Sequence, residues 1–218
     1  MSYLVNLDLR DRPALVVGAG EVAARKIAAL VRAGARVTVV AVQASEAVLA
    51  LARHGHVVLD ERAFAPGDAR GAVLVIGATN DDEVNRRVAA DARAFGALVN
   101  IVDRPELCTF TVPAVVHRGD LTLAASTEGR CPSLARVVRE RLERQYGPEW
   151  SDVVARVAQL RQRLMREGWP PSRIQAAVSR VVEAGLVEAI ACGDEVRVAS
   201  ALATATTPAH AGGDVADP

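Results

Sequence analysis

The stretch from Leu15 to Lys26 constrains the fold of this chain more than any other part of the sequence. An apolar run ends at Gly18, and a helical pattern follows directly, with the spacing G-x-G-x-x-A. Gly18 suits a tight turn because it lacks a Cβ. Gly20 lets the backbone approach a pyrophosphate, and Ala23 is small enough to pack a helix on a sheet. Free N–H groups at the helix start attract phosphate, so the context favours a dinucleotide-binding turn over a plain glycine turn.

Strand-like runs alternate with helical patterns over the first half of the chain, which is typical of an α/β fold with a Rossmann-type doubly wound parallel sheet. The predicted strands are Ala14–Val17, Arg36–Val42, Gly55–Leu59, Ala72–Gly77 and Ala97–Val102. Helices are predicted at Glu21–Arg32 and Ser45–Arg53, with a third ending at Arg93. In the first helix, Val22, Ile27, Leu30 and Val31 are expected to face the sheet. Tyr3–Leu7 is a candidate edge strand.

The alternation stops after Asp103. Thr109–Val116 and Leu121–Ala125 are strand-like and predict an antiparallel β-hairpin that turns at Gly119 and Asp120. Pro132 then opens a helix at its first position. The apolar stripe of this helix consists of Leu134, Val137, Val138 and Leu142. Because a hairpin with one helix cannot bury both of its faces, the pattern predicts a two-fold homodimer.

The rest of the chain reads as a mainly helical region followed by a disordered tail. Pro148–Arg166 is amphipathic, and Ser172-x-x-Gln175 is typical of a capping box that opens a further helix. Leu186–Ala201 fits either a helix or a hairpin. The predicted organisation begins with a Rossmann domain at 1–108 and a hairpin-helix dimerisation segment at 109–146. A helical C-terminal domain at 147–202 and a disordered tail at 203–218 follow.

Composition excludes several classes of protein. The net charge is +0, which argues against nucleic-acid or membrane-surface binding. No apolar run reaches the ~20 residues of a membrane span, and the N-terminus lacks the pattern of a secretory signal. Cys108, Cys131 and Cys192 are odd in number and widely spaced, which favours a reducing compartment. We therefore expect a cytoplasmic protein.

Ligands of open α/β sheets bind at the carboxyl ends of the strands. Val42 and Gln43 stand where an acidic residue usually holds the ribose, so charge does not decide between NAD and NADP. Asp103 follows the last predicted strand. A partly desolvated carboxylate there would have a raised pKa and accept a proton. Spacing alone favours the other interpretation, an aspartate that caps a turn.

Several motifs together make the sequence recognisable. In chain order they are Leu9–Arg12, Val17–Lys26, Ala33–Val39, Ala78–Asn85, Val99–Pro105, Phe110–Ala114 and Ser126–Arg136. The combination resembles the precorrin-2 dehydrogenase / sirohydrochlorin ferrochelatase family, the module found alone or at the N-terminus of siroheme synthase. The resemblance covers about residues 2–165 and lacks the usual methyltransferase domain, so it implies the stand-alone form.

The resemblance implies NAD-dependent oxidation of precorrin-2 to sirohydrochlorin and, in some members, insertion of ferrous iron to give siroheme. A cobaltous ion is a further candidate substrate. The family's key aspartate corresponds to Asp103. Cofactor contacts correspond to Gly18, Gly20, Glu21, Val22, Val42 and Gln43, with Thr79 and Asn80 on the nicotinamide side.

The substrate of that family carries eight carboxylates, so arginines and helix N-termini should attract it. Thr127, Arg130 and Arg104 are the predicted substrate-binding residues, although each arginine also fits an ordinary surface position. Two residues depart from the family pattern. Glu128 replaces a small residue and would repel an acidic macrocycle, and Cys131 replaces serine. An unpaired cysteine is more often inert than a ligand of iron.

Three functions are compatible with this pattern. The favoured one is the tetrapyrrole enzyme in either its bifunctional or its dehydrogenase-only form, and the second is a dehydrogenase served by a separate chelatase. The third is a regulatory domain that senses NAD without chemistry. Asp103 and the basic hairpin-helix segment argue against the sensor, because it needs neither.

Overall fold

The computed structural model describes residues 3–206, which form two compact units. Unit 1 runs to Val112 and includes Glu128–Arg130, and unit 2 comprises Pro113–Thr127 and the described residues from Cys131 onward. The predicted 109–146 and 147–202 regions thus lie largely in one unit, and the finer division stays a prediction. Within residues 3–206, no helix combines the length and apolar character needed to cross a bilayer.

Unit 1 contains a five-stranded parallel sheet with the order β3-β2-β1-β4-β5. Its elements are β1 Pro13–Ala19, α1 Glu21–Arg32, β2 Arg36–Ala44, α2 Glu46–Arg53, β3 Val57–Glu61, β4 Leu74–Gly77, α3 Asp82–Ala94, β5 Leu98–Ile101 and a short 3₁₀ turn, Pro105–Leu107. The predicted doubly wound sheet is confirmed. Because the chain order reverses between β1 and β4, a crevice opens there at the carboxyl ends of the strands.

The sheet is buried on both faces, which explains its apolar strands. Val16 of β1 belongs to the cluster under α1 and α2, whereas Leu15 and Val17 belong to the cluster under α3. In α1, Ile27 and Leu30 are buried as expected, together with two alanines. Val22 was expected among them, but it is 39% exposed because the alanines occupy the sheet-facing positions of the first turn.

Three strand predictions in unit 1 need correction. Tyr3–Leu7 forms no strand, and Tyr3 is 92% exposed. β4 begins at Leu74 instead of Ala72. β3 begins at Val57 instead of Gly55, because Gly55 has a φ of 72° and donates its N–H to Ala52 at the end of α2. A left-handed glycine at this place ends a helix, so the strand starts later.

Unit 2 begins with a β-hairpin and continues as helices. Its elements are β6 Ala114–Arg118, β7 Leu121–Ala125, α4 Pro132–Gln145, α5 Trp150–Arg166, α6 Pro171–Glu183, α7 Leu186–Ala191, α8 Glu195–Ala203 and a 3₁₀ turn, Thr204–Thr206. The hairpin turns at Gly119 as predicted, and Val116 pairs with Leu123. It starts at Ala114 instead of Thr109, because Thr109 bonds to Val99 beside β5 in unit 1.

The C-terminal helices correct three expectations. Ser172 opens no capping box, because Pro171 is already the first residue of α6. The ambiguous segment from Leu186 is helical, and the Asp194 carboxylate caps α8 by accepting the N–H of Arg197 at 3.0 Å. The prediction that the chain is disordered from residue 203 is wrong for residues up to Thr206, because Ala205 is fully buried in the helical core. Residues 207–218 lie outside the described residues.

The helical core of unit 2 gives a first prediction. Leu164 of α5 is fully buried, whereas Val196 of α8 is 81% exposed. Leu164→Ala should lower the free energy of unfolding by about 2–5 kcal/mol, because it removes buried methyl groups and leaves a cavity. The control Val196→Ala should change it by less than about 0.5 kcal/mol. Urea denaturation followed by circular dichroism measures both, and equal losses would contradict this core.

Candidate active site

The glycine turn after β1 is shaped by a close approach of two backbones. Gly18 has a φ of 103°, and a Cβ built on it would lie 2.4 Å from the carbonyl oxygen of Ala78. The N–H of Ala78 in turn bonds to the carbonyl of Val17 at 2.8 Å. Only glycine satisfies both requirements. The turn after β1 and the loop after β4 therefore meet at Gly18.

Gly20 leaves the start of α1 open. It is the N-cap residue with a φ of −77° and supplies no side-chain cap, and a Cβ on it would meet nothing within 4 Å. The first N–H groups of a helix have no partner within the helix. Glu21 and Val22, both exposed, are the first residues of α1. The open space and the unpaired backbone donors fit the pyrophosphate of a dinucleotide.

A cavity of about 560 Å³ lies at the carboxyl ends of β1, β2 and β4. This volume is typical of a small-molecule site. Its lining includes six predicted cofactor residues, namely Gly18, Gly20, Val42, Gln43, Thr79 and Asn80. Glu21 is not part of the lining, and Val22 lines a neighbouring cavity instead. The observed open glycine cradle and this cavity thus fit the expected cofactor.

The end of β2 carries no charge toward this cavity. Val42 is 71% exposed and Gln43 is exposed, and both belong to β2, which continues to Ala44. Arg62, directly after β3, also lines the cavity, as does Arg87 of α3. Arg62 was not among the site residues predicted from the sequence. Its position directly after a strand of the predicted sheet could have indicated that it lies at the ligand-binding edge.

A second cavity of about 300 Å³ brings the predicted catalytic residue to the same edge of the sheet. Asp103 and Arg104 line it together with Val22, Thr79 and Asn80. Thr79 and Asn80 line both cavities. They therefore border both cavities, and their place on the nicotinamide side stays a prediction.

Asn85 of α3 holds the loop that carries Thr79. It is 3% exposed and is the one buried polar side chain within residues 3–206. Its Nδ2 donates to the carbonyl of Thr79 at 2.9 Å, and the Thr79 hydroxyl donates to its Oδ1 at 3.0 Å. Sequence reasoning missed this role, although Asn85 occupies an apolar position of α3, one turn before Val88 and Ala89. Asn85 is a positioning residue for the loop after β4.

Asp103 adopts a conformation that suits few residues. Its φ is 58°, and the next residue, Arg104, donates its N–H to Ile101 at 3.3 Å. Aspartate and asparagine tolerate the left-handed region better than most side chains. Asp103 is exposed within unit 1. The exposure and the positive φ agree with the turn interpretation that spacing favours, and not with a partly desolvated carboxylate within this unit.

Arg104 is engaged within unit 1. Its guanidinium contacts both oxygens of Asp82 at the start of α3, at 2.7 and 2.5 Å. This hydrogen bonding holds the pKa of Asp82 below its ordinary value and raises that of Arg104. Both groups are exposed, so the pair adds little stability. It does orient the Arg104 guanidinium beside the second cavity.

Cys108 ties the loop that carries Asp103. Its thiol accepts the N–H of Ile101 at 3.2 Å and donates to the carbonyl of Arg104 at 3.2 Å. The thiol therefore joins the end of β5 to the segment beyond Asp103. From the sequence, Cys108 indicated only a reducing compartment, and no spacing rule would have indicated this contact.

The predicted substrate residues near α4 are not brought together within one unit. Thr127 belongs to unit 2, where its hydroxyl accepts the N–H of Cys131 at 3.1 Å, and Arg130 is an exposed residue of unit 1. The Cys131 thiol has a lowered pKa because Ser133 and the N–H of Leu134 hydrogen-bond to it. Within residues 3–206, no three histidine, cysteine or carboxylate residues cluster as a metal site.

Comparison with known proteins agrees with this geometry. The NAD(P)-binding family model NAD_binding_7 matches residues 5–114. Siroheme synthase of Methylobacillus flagellatus is 44% identical over 72% of this chain and 33% of its own length. Siroheme synthase of Methylococcus capsulatus is 42% identical over 79% of this chain and 36% of its own length. The chain therefore spans about a third of these curated relatives.

A solved structure extends the likeness to both units. SirC, a precorrin-2 dehydrogenase, superposes with a TM-score of 0.77 and 26% identity over 94% of this chain and 98% of its own. The chain is an NAD(P)-binding Rossmann protein, and the predicted pyridine nucleotide cofactor is confirmed. Within that class it belongs to the precorrin-2 dehydrogenase / sirohydrochlorin ferrochelatase family.

The two glycines of the turn give contrasting predictions. Gly18→Ala should destabilise the protein by more than about 1 kcal/mol, because the new Cβ is strained by the positive φ and strikes the Ala78 carbonyl. Gly20→Ala should keep the wild-type unfolding midpoint but weaken NAD binding about ten-fold or more, because its Cβ occupies the space before α1. Thermal unfolding and calorimetric titration measure the two effects. Unchanged NAD affinity in Gly20→Ala would contradict the pyrophosphate position.

Proposed function

We propose that this protein oxidises precorrin-2 to sirohydrochlorin with NAD in siroheme biosynthesis. The observation that carries the proposal is the pair of adjoining cavities that share Thr79 and Asn80, one beside the glycine turn and the other beside Asp103. The likeness to siroheme synthases and to a precorrin-2 dehydrogenase supports the same substrate.

The chain's own residues would divide the work along the sheet edge. Gly18 and Gly20 admit the pyrophosphate, and backbone N–H groups at Glu21 and Val22 would bind it. Bound NAD supplies the hydride acceptor of the reaction. Asn85 keeps the Thr79 loop in place through its two hydrogen bonds, and this loop would hold the nicotinamide end of the cofactor.

Asp103 is proposed as the acceptor of the proton that leaves with the hydride. Its exposure within unit 1 leaves the carboxylate accessible to a substrate. Arg104 contacts Asp82 through Nη2 alone, so its Nε would be left to bind a carboxylate of the tetrapyrrole. Thr127 and Arg130 keep this role as predictions from the sequence. Arg118 and Arg136 contribute less, because Arg118 donates to the Tyr146 carbonyl and Arg136 pairs with Glu140.

Asp103→Asn tests the proton acceptor. Asparagine tolerates the observed φ of 58°, so the turn should survive. The variant should bind NAD within about two-fold of the wild type but form sirohydrochlorin about 10²–10⁴-fold more slowly. Absorption of sirohydrochlorin, with precorrin-2 and no metal, follows the reaction. Glu106→Gln, a change at an exposed position in the same loop, is the matched control. An unaltered rate of sirohydrochlorin formation in Asp103→Asn would show that Asp103 is not the proton acceptor.

A chelatase activity is the second candidate function, with ferrous or cobaltous ion as substrate. The name of the siroheme synthases favours it, since siroheme is the metallated product. Insertion requires removal of pyrrole protons, and Asp103 would accept them. Addition of either ion to purified sirohydrochlorin separates this function from a dehydrogenase that relies on another chelatase.

We also propose that the protein is a cytoplasmic homodimer. Its three cysteines are free thiols, as in a reducing compartment. The predicted stripe of α4 is uncovered within residues 3–206, with Leu134 52%, Val137 46% and Val138 37% exposed. Such a contiguous apolar face is typical of an interface between subunits.

Substitution on α4 tests the dimer. Val137→Asp places a charge in the apolar stripe and should convert the dimer to a monomer at micromolar concentration, because a buried unpaired charge is costly. Gln145→Asp adds the same charge at an exposed position of the same helix and should leave the mass unchanged. Light scattering after size exclusion measures the mass. A monomeric wild type, or a dimeric Val137→Asp variant, would contradict this interface.

A further inference from the structure

A cation lies beside the uncharged end of β2. Arg62 lines the 560 Å³ cavity together with Val42 and Gln43. In doubly wound nucleotide-binding sheets, an acidic residue near the end of the second strand binds the ribose 2′-hydroxyl of NAD, and an arginine nearby accommodates the 2′-phosphate of NADP. Since Val42 and Gln43 carry no charge, an unpaired arginine at this position would favour NADP.

The Arg62 guanidinium is not unpaired. Its Nη1 donates to Oδ2 of Asp68 at 2.8 Å, and its Nη2 donates to Oδ1 of the same residue at 2.9 Å. Oδ2 of Asp60 lies 3.5 Å from Nη2 of Arg62. A bidentate arginine–carboxylate pair fixes the direction of the guanidinium as well as its charge. Arg62 therefore directs its two terminal nitrogens to carboxylates of its own unit.

Asp68 is itself fixed in place. Its side chain is 14% exposed, and its Oδ2 accepts the N–H of Ala65 at 2.8 Å. Hydrogen bonding from Arg62 holds the pKa of Asp68 below its ordinary value, so the carboxylate is charged at neutral pH. Asp60 adds a second acidic side chain, so the cluster of Arg62, Asp60 and Asp68 contains one cation and two anions.

We infer that this cluster determines the preference of the pocket for NAD over NADP, because the carboxylates of Asp60 and Asp68 engage the Arg62 guanidinium and so withhold it from a 2′-phosphate. The inference rests on the proposed function, because it requires the 560 Å³ cavity to hold the adenosine end of the cofactor. It identifies Arg62, Asp60 and Asp68 as specificity-determining residues.

Arg87 is the other cation that lines this cavity. It is exposed on α3, and it makes no ion pair within residues 3–206, whereas the adjacent Arg86 pairs with Glu83. If Arg87 were the group that meets a 2′-phosphate, the carboxylates beside Arg62 would have little influence on the choice of nucleotide. The experiment must therefore separate the two arginines.

Calorimetric titration of the full chain with NAD⁺ and with NADP⁺, each alone, tests the inference without relying on turnover. Wild type should bind NAD⁺ more tightly. Asp68→Asn keeps an acceptor for the Ala65 N–H but loses the charge, and it should bind NADP⁺ about ten-fold more tightly, with NAD⁺ affinity within about two-fold. Asp60→Asn should give a smaller gain because that contact is longer. Asp8→Asn, which removes a carboxylate from the exposed Arg10 pair, is the matched control and should give none.

A double variant assigns the gain to its source. Asp68→Asn with Arg62→Gln should lose the improved NADP⁺ binding, because the released cation is gone. Persistence of the gain would indicate Arg87 and overturn the inference, as would an unchanged ratio of the two affinities in both aspartate variants. Absence of NAD⁺ and NADP⁺ binding in the folded wild type would overturn the proposed function as well, which distinguishes the two failures. Circular dichroism establishes that each variant is folded.

Discussion

The contact between the Gly18 turn and the Ala78 carbonyl is the constraint on which the site depends. A Cβ at Gly18 would lie 2.4 Å from that oxygen, so the loops after β1 and β4 can meet only around glycine. These two strands are neighbours in the sheet although α1, β2, α2 and β3 separate them in the chain. Their contact sets the floor of the crevice where the order of the strands reverses.

Both cavities follow from this arrangement. The loop after β4 contributes Thr79 and Asn80 to each of them, and Asn85 holds that loop from within α3. The loop after β5 brings Asp103 to the same edge, with Cys108 joining its two sides. Polar groups with fixed partners thus surround a space that the rigid sheet keeps open, which is the preorganisation that a catalytic site requires.

Local sequence rules succeeded where adjacent residues determine the structure of an element. The helix Glu21–Arg32 was predicted with its observed bounds, because a glycine turn precedes it and Gly34 follows it. The hairpin turn at Gly119 was also recognised. The Ser172 capping box failed because a proline at the first helical position already defines the start of α6. Competing local signals of similar strength are the reason for that error.

Predictions failed where packing and contacts outside the local pattern decide. Val22 belongs to an apolar pattern, yet Ala23 and Ala24 are the buried residues of the first turn, and Val22 lines the second cavity. Thr109 reads as strand, but its bonds to Val99 keep it beside β5. A partly desolvated Asp103 was one of two interpretations, and the exposure of this residue within unit 1 contradicts it. Propensity carries no information about such partners.

The sequence by itself determined the class of fold, the glycine turn and the strand ends that carry the site, because periodicity and turn chemistry act over a few residues. Only the tertiary structure decided which side chains hold these elements in place. The tertiary structure identified three such contacts, which are the Asn85 bonds to Thr79, the Cys108 bond to Arg104 and the pairing of Arg62 with Asp68. Each role is a hydrogen bond across a loop, between residues four to seven positions apart, and sequence patterns do not specify the conformation that such a loop takes at the end of a strand.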